Sequence, residues 1–143
     1  SEMCIRDMSM SFYLKKEGFS GMANWMRKQS AKEVGHACTI AEYMVKREAT
    51  PKVDKVDVVP QGWGNSLEVF EHALKHEKHI SKLIDELVYL ASEEKDNATQ
   101  DFLWKFVREQ VEEEAGVQNI VNLLKKAGDS GILFIDAKLD GCK

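Results

Sequence analysis

Residues 50–65 read TPKVDKVDVVPQGWGN and hold both prolines of the chain, Pro51 and Pro60. Most loops in compact domains run about 4 to 6 residues, so a punctuated segment of 16 residues needs a structural reason. Fully extended, the segment reaches roughly 53 Å at about 3.3 Å per residue, whereas a helix over residues 20–49 measures roughly 45 Å. The segment can therefore return along the whole preceding helix, which makes the helices on either side of it parallel.

Helix-forming residues dominate on both sides of this segment. Their apolar periodicity predicts four long helices, and the apolar stretch GILFIDAKL, residues 131–139, predicts a short fifth helix. We expect an all-α chain, a four-helix bundle with one long crossover, forming a single domain over residues 1–143. The long helices are predicted over residues 1–16, 20–49, 66–94 and 97–127, with Asn65 and Asn97 as helix-starting residues and Gly128 after the last.

Composition narrows the class of protein. The chain has 43% hydrophobic and 31% charged residues, and no apolar run approaches the roughly 18 residues that a membrane span requires. A net charge of −4 argues against a nucleic-acid partner. No secretory signal is visible, and three cysteines without a CxxC pair indicate reduced thiols. We predict a soluble cytoplasmic protein with neither a membrane nor a nucleic-acid partner.

Polar residues interrupt the apolar stripes of three helices at similar depths. Glu33 and His36 replace apolar residues on the second helix, Glu77 does so on the third, and Gln110 and Glu113 do so on the fourth. A carboxylate buried alone costs several kcal/mol, and several carboxylates in one layer repel each other unless a cation lies between them. Oxygen ligands with one imidazole suit iron or manganese and also accept zinc. The alternative is a hydrogen-bonded polar layer without metal.

Other polar residues have a more ordinary interpretation. Glu112 and Glu114 are expected on a solvated face, although Glu109 and Glu112 could contribute to an accessory cation site. His72, His76 and His79 form a stripe that we place on the surface, where it could chelate a metal or lie at a subunit contact. In the tail, the apolar face of Ile132, Leu133, Phe134 and Ile135 is too large for a small monomer to leave in water, so we expect assembly to bury it.

The stretches MSMSFYLKKEGFSGMANWMRKQSAKEVGHA, EHALKHEKHISKLIDEL, FLWKFVREQVEEEA and KKAGDSGILFIDAKL resemble the bacterial non-haem ferritins. Bacterioferritins and rubrerythrins carry two ExxH motifs, whereas this chain has one, Glu33-Val34-Gly35-His36. Where the second motif would stand, it has Gln110-Val111-Glu112-Glu113, the pattern of a non-haem ferritin. The resemblance therefore implies the ferritin-like bundle and a di-iron centre without haem.

Carried onto this sequence, the resemblance makes Glu33 and His36 ligands of a first iron and makes Glu33 bridge to a second. Glu77 and Glu113 would bind that second iron, with Gln110 beside it. The family is a ferroxidase family, which oxidises Fe(II) with dioxygen or peroxide. It stores the ferric product in a homo-oligomeric cage, for which the resemblance implies 24 subunits.

The sequence departs from the family pattern at its beginning. The first helix of the family supplies a glutamate to the first iron, and an ungapped alignment puts that position just before Ser1, as if the helix were truncated at its N-terminus. Glu2 is a possible substitute, and fraying at the terminus is the alternative that we favour. Lys32 stands where some relatives carry a glutamate of a third iron site. Two further functions stay open: a bundle with weak or impaired ferroxidase activity, and a purely structural helical module.

Overall fold

The computed structural model describes residues 2–141 and consists of five α-helices. Ser1, Lys143 and the third cysteine of the sequence, Cys142, lie outside the described residues. The chain divides into two compact units, Ser1–Gly64 with Ala127–Lys143, and Asn65–Lys126. Across residues 2–141, no helix is both long enough and apolar enough to span a membrane. The helices are α1 (Glu2–Lys16), α2 (Ser20–Lys46), α3 (Ser66–Glu93), α4 (Asn97–Lys126) and α5 (Asp129–Asp140).

In the first unit, α1 packs along the first part of α2. The Ser30 hydroxyl donates to the backbone carbonyl of Cys4 at 2.7 Å, and the Ser11 hydroxyl donates to that of Ala23 at 2.7 Å. These pairings make the two helices antiparallel and bring the start of α1 beside residue 30 of α2. With 15 residues against 27, α1 is roughly 22 Å long and α2 roughly 40 Å. Accordingly, all buried residues of α2 lie between positions 21 and 30.

The fifth helix packs against the beginning of α2. The backbone N–H of Met22, in the first turn of α2, donates to Oδ1 of Asp136 at 2.8 Å. Asn24 donates from Nδ2 to Oδ1 of Asp140 at 2.9 Å. The residue before α2, Phe19, makes no side-chain cap, so Asp136 supplies from another helix the acceptor that a capping residue normally supplies.

The second helix ends at Lys46, three residues before its predicted end. Glu48 takes a left-handed conformation with φ of 63°, and the N–H of Ala49 donates to the carbonyl of Met44 at 2.9 Å. This is the usual hydrogen-bonded helix ending, in which glycine normally occupies the left-handed position. Because a glutamate occupies it here, the sequence carried no signal for the end of the helix.

The long segment then returns along the first unit, as its length predicted. Near its end, the carbonyl of Pro60 accepts from the Ser9 hydroxyl at 3.0 Å, and the buried Trp63 donates from Nε1 to the same hydroxyl at 3.1 Å. The Tyr13 hydroxyl donates to the carbonyl of Gly64 at 2.6 Å. Ser9 and Tyr13 lie on the part of α1 that faces the beginning of α2, so the segment has travelled back along most of that helix.

In the second unit, α3 and α4 pack side by side, joined by residues 94–96. The prediction that Asn65 starts α3 is confirmed. Asn65 forms a capping box, because its Oδ1 accepts from the N–H of Glu68 at 2.9 Å while the Glu68 carboxylate accepts from the N–H of Asn65. The predicted stripe of α4 is also confirmed in large part, since Glu113 is half-buried and the others are buried: Leu103, Phe106, Gln110, Val117, Ile120 and Leu124.

The predicted start of α4 at residue 97 is confirmed, but its capping residue is Asp96 and not Asn97. Asn97 already belongs to the helix, and Asp96 caps it, because its Oδ1 accepts from the N–H of Thr99 at 3.1 Å and its Oδ2 accepts from the Thr99 hydroxyl at 2.6 Å. Aspartate also suits the positive end of the helix dipole. Gly128, predicted to follow α4, is the extended residue that immediately precedes α5.

Asp96→Ala is therefore expected to lower the free energy of unfolding by about 1 kcal/mol, the usual cost of removing a capping side chain. Asn97→Ala, its matched control one residue on, is expected to be neutral or slightly stabilising, since alanine is the better helix former. Urea denaturation of both variants at one protein concentration compares the two positions. If Asn97→Ala lost more free energy of unfolding than Asp96→Ala, Asn97 would be the capping residue, as the sequence indicated.

Candidate metal centre

Glu33 and His36 lie one turn apart on α2, just beyond the part of the helix that α1 covers. His36 Nδ1 is 3.5 Å from Glu33 Oε1, and the two side chains retain 26% and 13% of their exposure, respectively. The spacing of three residues brings both groups to one side of the helix, as predicted. A carboxylate oxygen and an imidazole nitrogen therefore stand together in a partly accessible position, which a metal ion could reach.

Glu77 is the most deeply buried of the predicted ligands, with 3% of its surface exposed. Gln110 Nε2 donates to Glu77 Oε2 at 2.6 Å and to the backbone carbonyl of Glu77 at 3.0 Å. One amide nitrogen thus places both of its protons on a single residue, which fixes the carboxylate relative to its own helix. These bonds come from a neutral group, so they orient the carboxylate while leaving its negative charge available to a cation.

Glu113 lies three residues beyond Gln110, on the same side of α4, and is half-buried. The five predicted side chains thus form two local groups, Glu33 with His36 in the first unit and Glu77, Gln110 and Glu113 in the second. Their donors are oxygens apart from one imidazole, which fits iron, manganese or zinc. Among residues 2–141 no three His, Cys, Asp or Glu side chains already enclose a metal position, so the complete centre stays a prediction.

The remaining candidates fall on the surface or at its edge. Glu2, considered as a substitute ligand, is exposed and forms an ion pair with Arg6 at 2.8 Å. The residues considered for other sites divide by burial: His72, His79 and Glu112 are exposed, and His76 and Glu109 are half-buried.

Sequence reasoning placed Glu114 wrongly and overlooked the buried Asp7. Glu114 was expected on a solvated face, but it is half-buried and its Oε1 accepts a short hydrogen bond from the Ser81 hydroxyl. The partnership depends on the register between α3 and α4, which neither helix reveals alone. Asp7 is buried on α1 in line with Met3, Met10 and Leu14, so the same periodic stripe could have revealed it.

A model of the family described as "Ferritin: Ferritin-like domain" matches residues 6–127, which is most of the chain. The chain belongs to the ferritin family. Membership places it among proteins that store iron.

Individual ferritins are similar over nearly the full length. A bacterial non-heme ferritin of Bacteroides fragilis (strain 638R) is 64% identical over 132 residues, covering 92% of this chain and 83% of that protein. A bacterial non-heme ferritin of Staphylococcus aureus (strain MRSA252) is 33% identical over 132 residues, covering 92% of this chain and 80% of that protein. The resemblance seen in the sequence motifs is confirmed by these relatives.

Among solved structures, an open pore ferritin from the hyperthermophilic archaeon Archaeoglobus fulgidus is similar with a TM-score of 0.95 and 38% sequence identity. The match covers 97% of this chain and 86% of that one. The predicted fold class is therefore confirmed: all-α, of the ferritin-like four-helix type, with a short fifth helix at its C-terminal end.

Proposed function

We propose that this ferritin oxidises Fe(II) at a di-iron ferroxidase centre and stores the ferric product in a homo-oligomeric cage. Glu33, His36, Glu77 and Glu113 are the proposed iron ligands, with Gln110 as the residue that orients Glu77. The observation that carries the proposal is the buried Glu77 carboxylate, held by two hydrogen bonds from Gln110. Family membership supplies iron as the substrate.

The chemistry follows from the ligand types. Two Fe(II) ions each lose one electron, and dioxygen takes up that electron pair with two protons to give hydrogen peroxide; where peroxide is the oxidant, the same pair reduces it to two waters. Carboxylate oxygens bind the harder Fe(III) more strongly than Fe(II), which favours the oxidised products. Glu77, oriented in advance, presents its charge without a costly rearrangement when iron arrives.

A second candidate is a ferritin with weak ferroxidase activity. It is supported by Glu2, the residue considered as a substitute ligand, which is exposed and forms an ion pair with Arg6. A carboxylate held by Arg6 is less available to a metal ion, so in this candidate Glu2 does not complete the group formed by Glu33 and His36, and oxidation is slow.

The cage is supported by apolar residues that a single chain leaves exposed. Leu133 and Phe134 on α5 are 63% and 71% exposed, whereas Ile135 is buried, so the apolar tail is only partly covered within one chain. The proposed location is the cytoplasm, where thiols such as those of Cys4 and Cys38 stay reduced.

Addition of Fe(II) to the metal-free protein in air is expected to give ferric absorbance much faster than in protein-free buffer, and light scattering is expected to show a large assembly. Without oxygen, Fe(II) or Zn(II) is expected to raise the melting temperature, since an ion that binds only the folded state stabilises it. Slow oxidation with a clear rise in melting temperature would favour the weak ferroxidase. A stable monomer that neither oxidises nor binds either ion would leave only the structural module.

A further inference from the structure

A cleft of about 440 Å³ runs along α3 and α4 in the second unit. Its volume far exceeds the roughly 10–15 Å³ that a single water needs, so it admits a hydrated cation. Gln110, which holds Glu77, forms part of the lining, so the cleft reaches the hydrogen bonds around the most deeply buried predicted ligand. The other polar residues that line it are Lys78, Ser81, Asp85, Glu114 and Gln118.

The Ser81 hydroxyl stands between two acceptors inside this cleft. It lies 3.1 Å from the backbone carbonyl of Glu77 and makes a short contact with Oε1 of Glu114. A hydroxyl group has one proton, so it can donate to only one of these oxygens at a time. When Ser81 donates to the carbonyl, a cation can take the place of the proton between the Ser81 oxygen and the Glu114 carboxylate.

The charges lining the cleft suit passage rather than permanent binding. Asp85 and Glu114 carry two negative charges and Lys78 one positive charge, so the lining has a net charge of −1, which attracts a cation. A site on a conduction route must bind strongly enough to collect an ion and weakly enough to release it. One carboxylate and one hydroxyl form a weak site of this kind, and the Glu77 carboxylate lies one turn of α3 before Ser81.

We propose that Ser81 and Glu114 form a transit site through which Fe(II) passes from the α3–α4 cleft to Glu77. This inference rests on the proposed function, because it assigns a route to the iron that the centre oxidises. Glu114 collects the ion at the cleft, and Ser81 exchanges its hydrogen bond between Glu114 and the Glu77 carbonyl as the ion arrives and leaves.

Glu114→Gln keeps the size and the acceptor oxygen of the side chain while removing its charge, and Glu86→Gln is the matched control at an exposed position of α3 outside the cleft. When Fe(II) and oxygen are mixed with metal-free protein together, we expect Glu114→Gln to oxidise iron about tenfold more slowly than the parent, within the range of electrostatic steering effects. After anaerobic loading with Fe(II), addition of oxygen is expected to give the parent rate. Two results would overturn the transit site. One is that Glu114→Gln still oxidises iron more slowly than the parent after anaerobic loading, and the other is that Glu114→Gln and the parent have equal rates both with simultaneous mixing and after loading.

Cobalt tests the site without any oxidation. Crystals soaked in Co(II) are expected to show an anomalous signal beside Glu114 in the parent and in Glu86→Gln, and none in Glu114→Gln. No signal beside Glu114 in the parent would overturn the transit site, even if Fe(II) oxidation is normal. A parent that binds Co(II) at Glu114 but fails to oxidise Fe(II) would instead contradict the proposed function, which keeps the two outcomes apart.

Discussion

His36→Ala and Glu113→Ala are each expected to slow Fe(II) oxidation by at least about tenfold while leaving the helical content nearly unchanged. Loss of groups that merely support metal ligands typically costs 10- to 100-fold, so loss of a ligand should cost no less. Both side chains are only half-buried, and their removal opens no large cavity in an apolar core. The fold should therefore persist while one iron position loses a ligand.

Stopped-flow measurement of ferric absorbance, with circular dichroism on the same samples, tests this expectation. Glu42→Ala, at an exposed position on α2, is the matched control and should retain the parent rate. Anaerobic titration with Zn(II) should show weaker binding in His36→Ala and Glu113→Ala than in the parent. Parent rates in both ligand variants would contradict the di-iron assignment and leave the polar residues as a hydrogen-bonded layer.

The helices could be predicted from the sequence wherever their ends carry the usual residues. Asn65 with Glu68 marks the beginning of α3 correctly, because both halves of a capping box lie within four residues of each other. The end of α2 was missed because Glu48 occupies a position where glycine is usual. The cap of α4 was assigned to the wrong residue because Asp96 and Asn97 are both good capping residues and only the backbone conformation distinguishes them.

The candidate site could be predicted in part, because periodicity reveals side chains that interrupt a single helix. Gln110 and Glu77 were found in this way, but the hydrogen bonds that join them depend on the register of two helices. Glu114 shows the limit of the method, since it resembles an ordinary surface residue until Ser81 of the neighbouring helix is placed beside it. Hydrogen bonds between helices are specified by packing over many residues and carry no local pattern.

The docking of α5 onto α2 depends on a helix position that admits no side chain. A Cβ atom at Gly21 would lie 1.8 Å from the backbone oxygen of Asp136 and 2.8 Å from its carbonyl carbon. These are backbone atoms, so no rotation of a side chain can relieve the overlap. The close approach also aligns the Asp136 carboxylate with the Met22 N–H, which connects the absence of a side chain at Gly21 to the capping of α2.

Gly21→Ala is expected to lower the free energy of unfolding by about 3 kcal/mol, at the upper end of the usual cost of overpacking, because α5 must shift and its hydrogen bonds to α2 are lost with it. Gly116→Ala, the same substitution inside α4 with no atom within 4 Å of the new Cβ, is expected to raise that free energy by about 0.5–1 kcal/mol. Urea denaturation at matched protein concentration measures both, and equal stability of the two variants would show that α5 moves away from Gly21 at no cost. A third variant, Asp136→Ala, separates the two contributions, since it removes the cap without the overlap and should cost only about 1 kcal/mol.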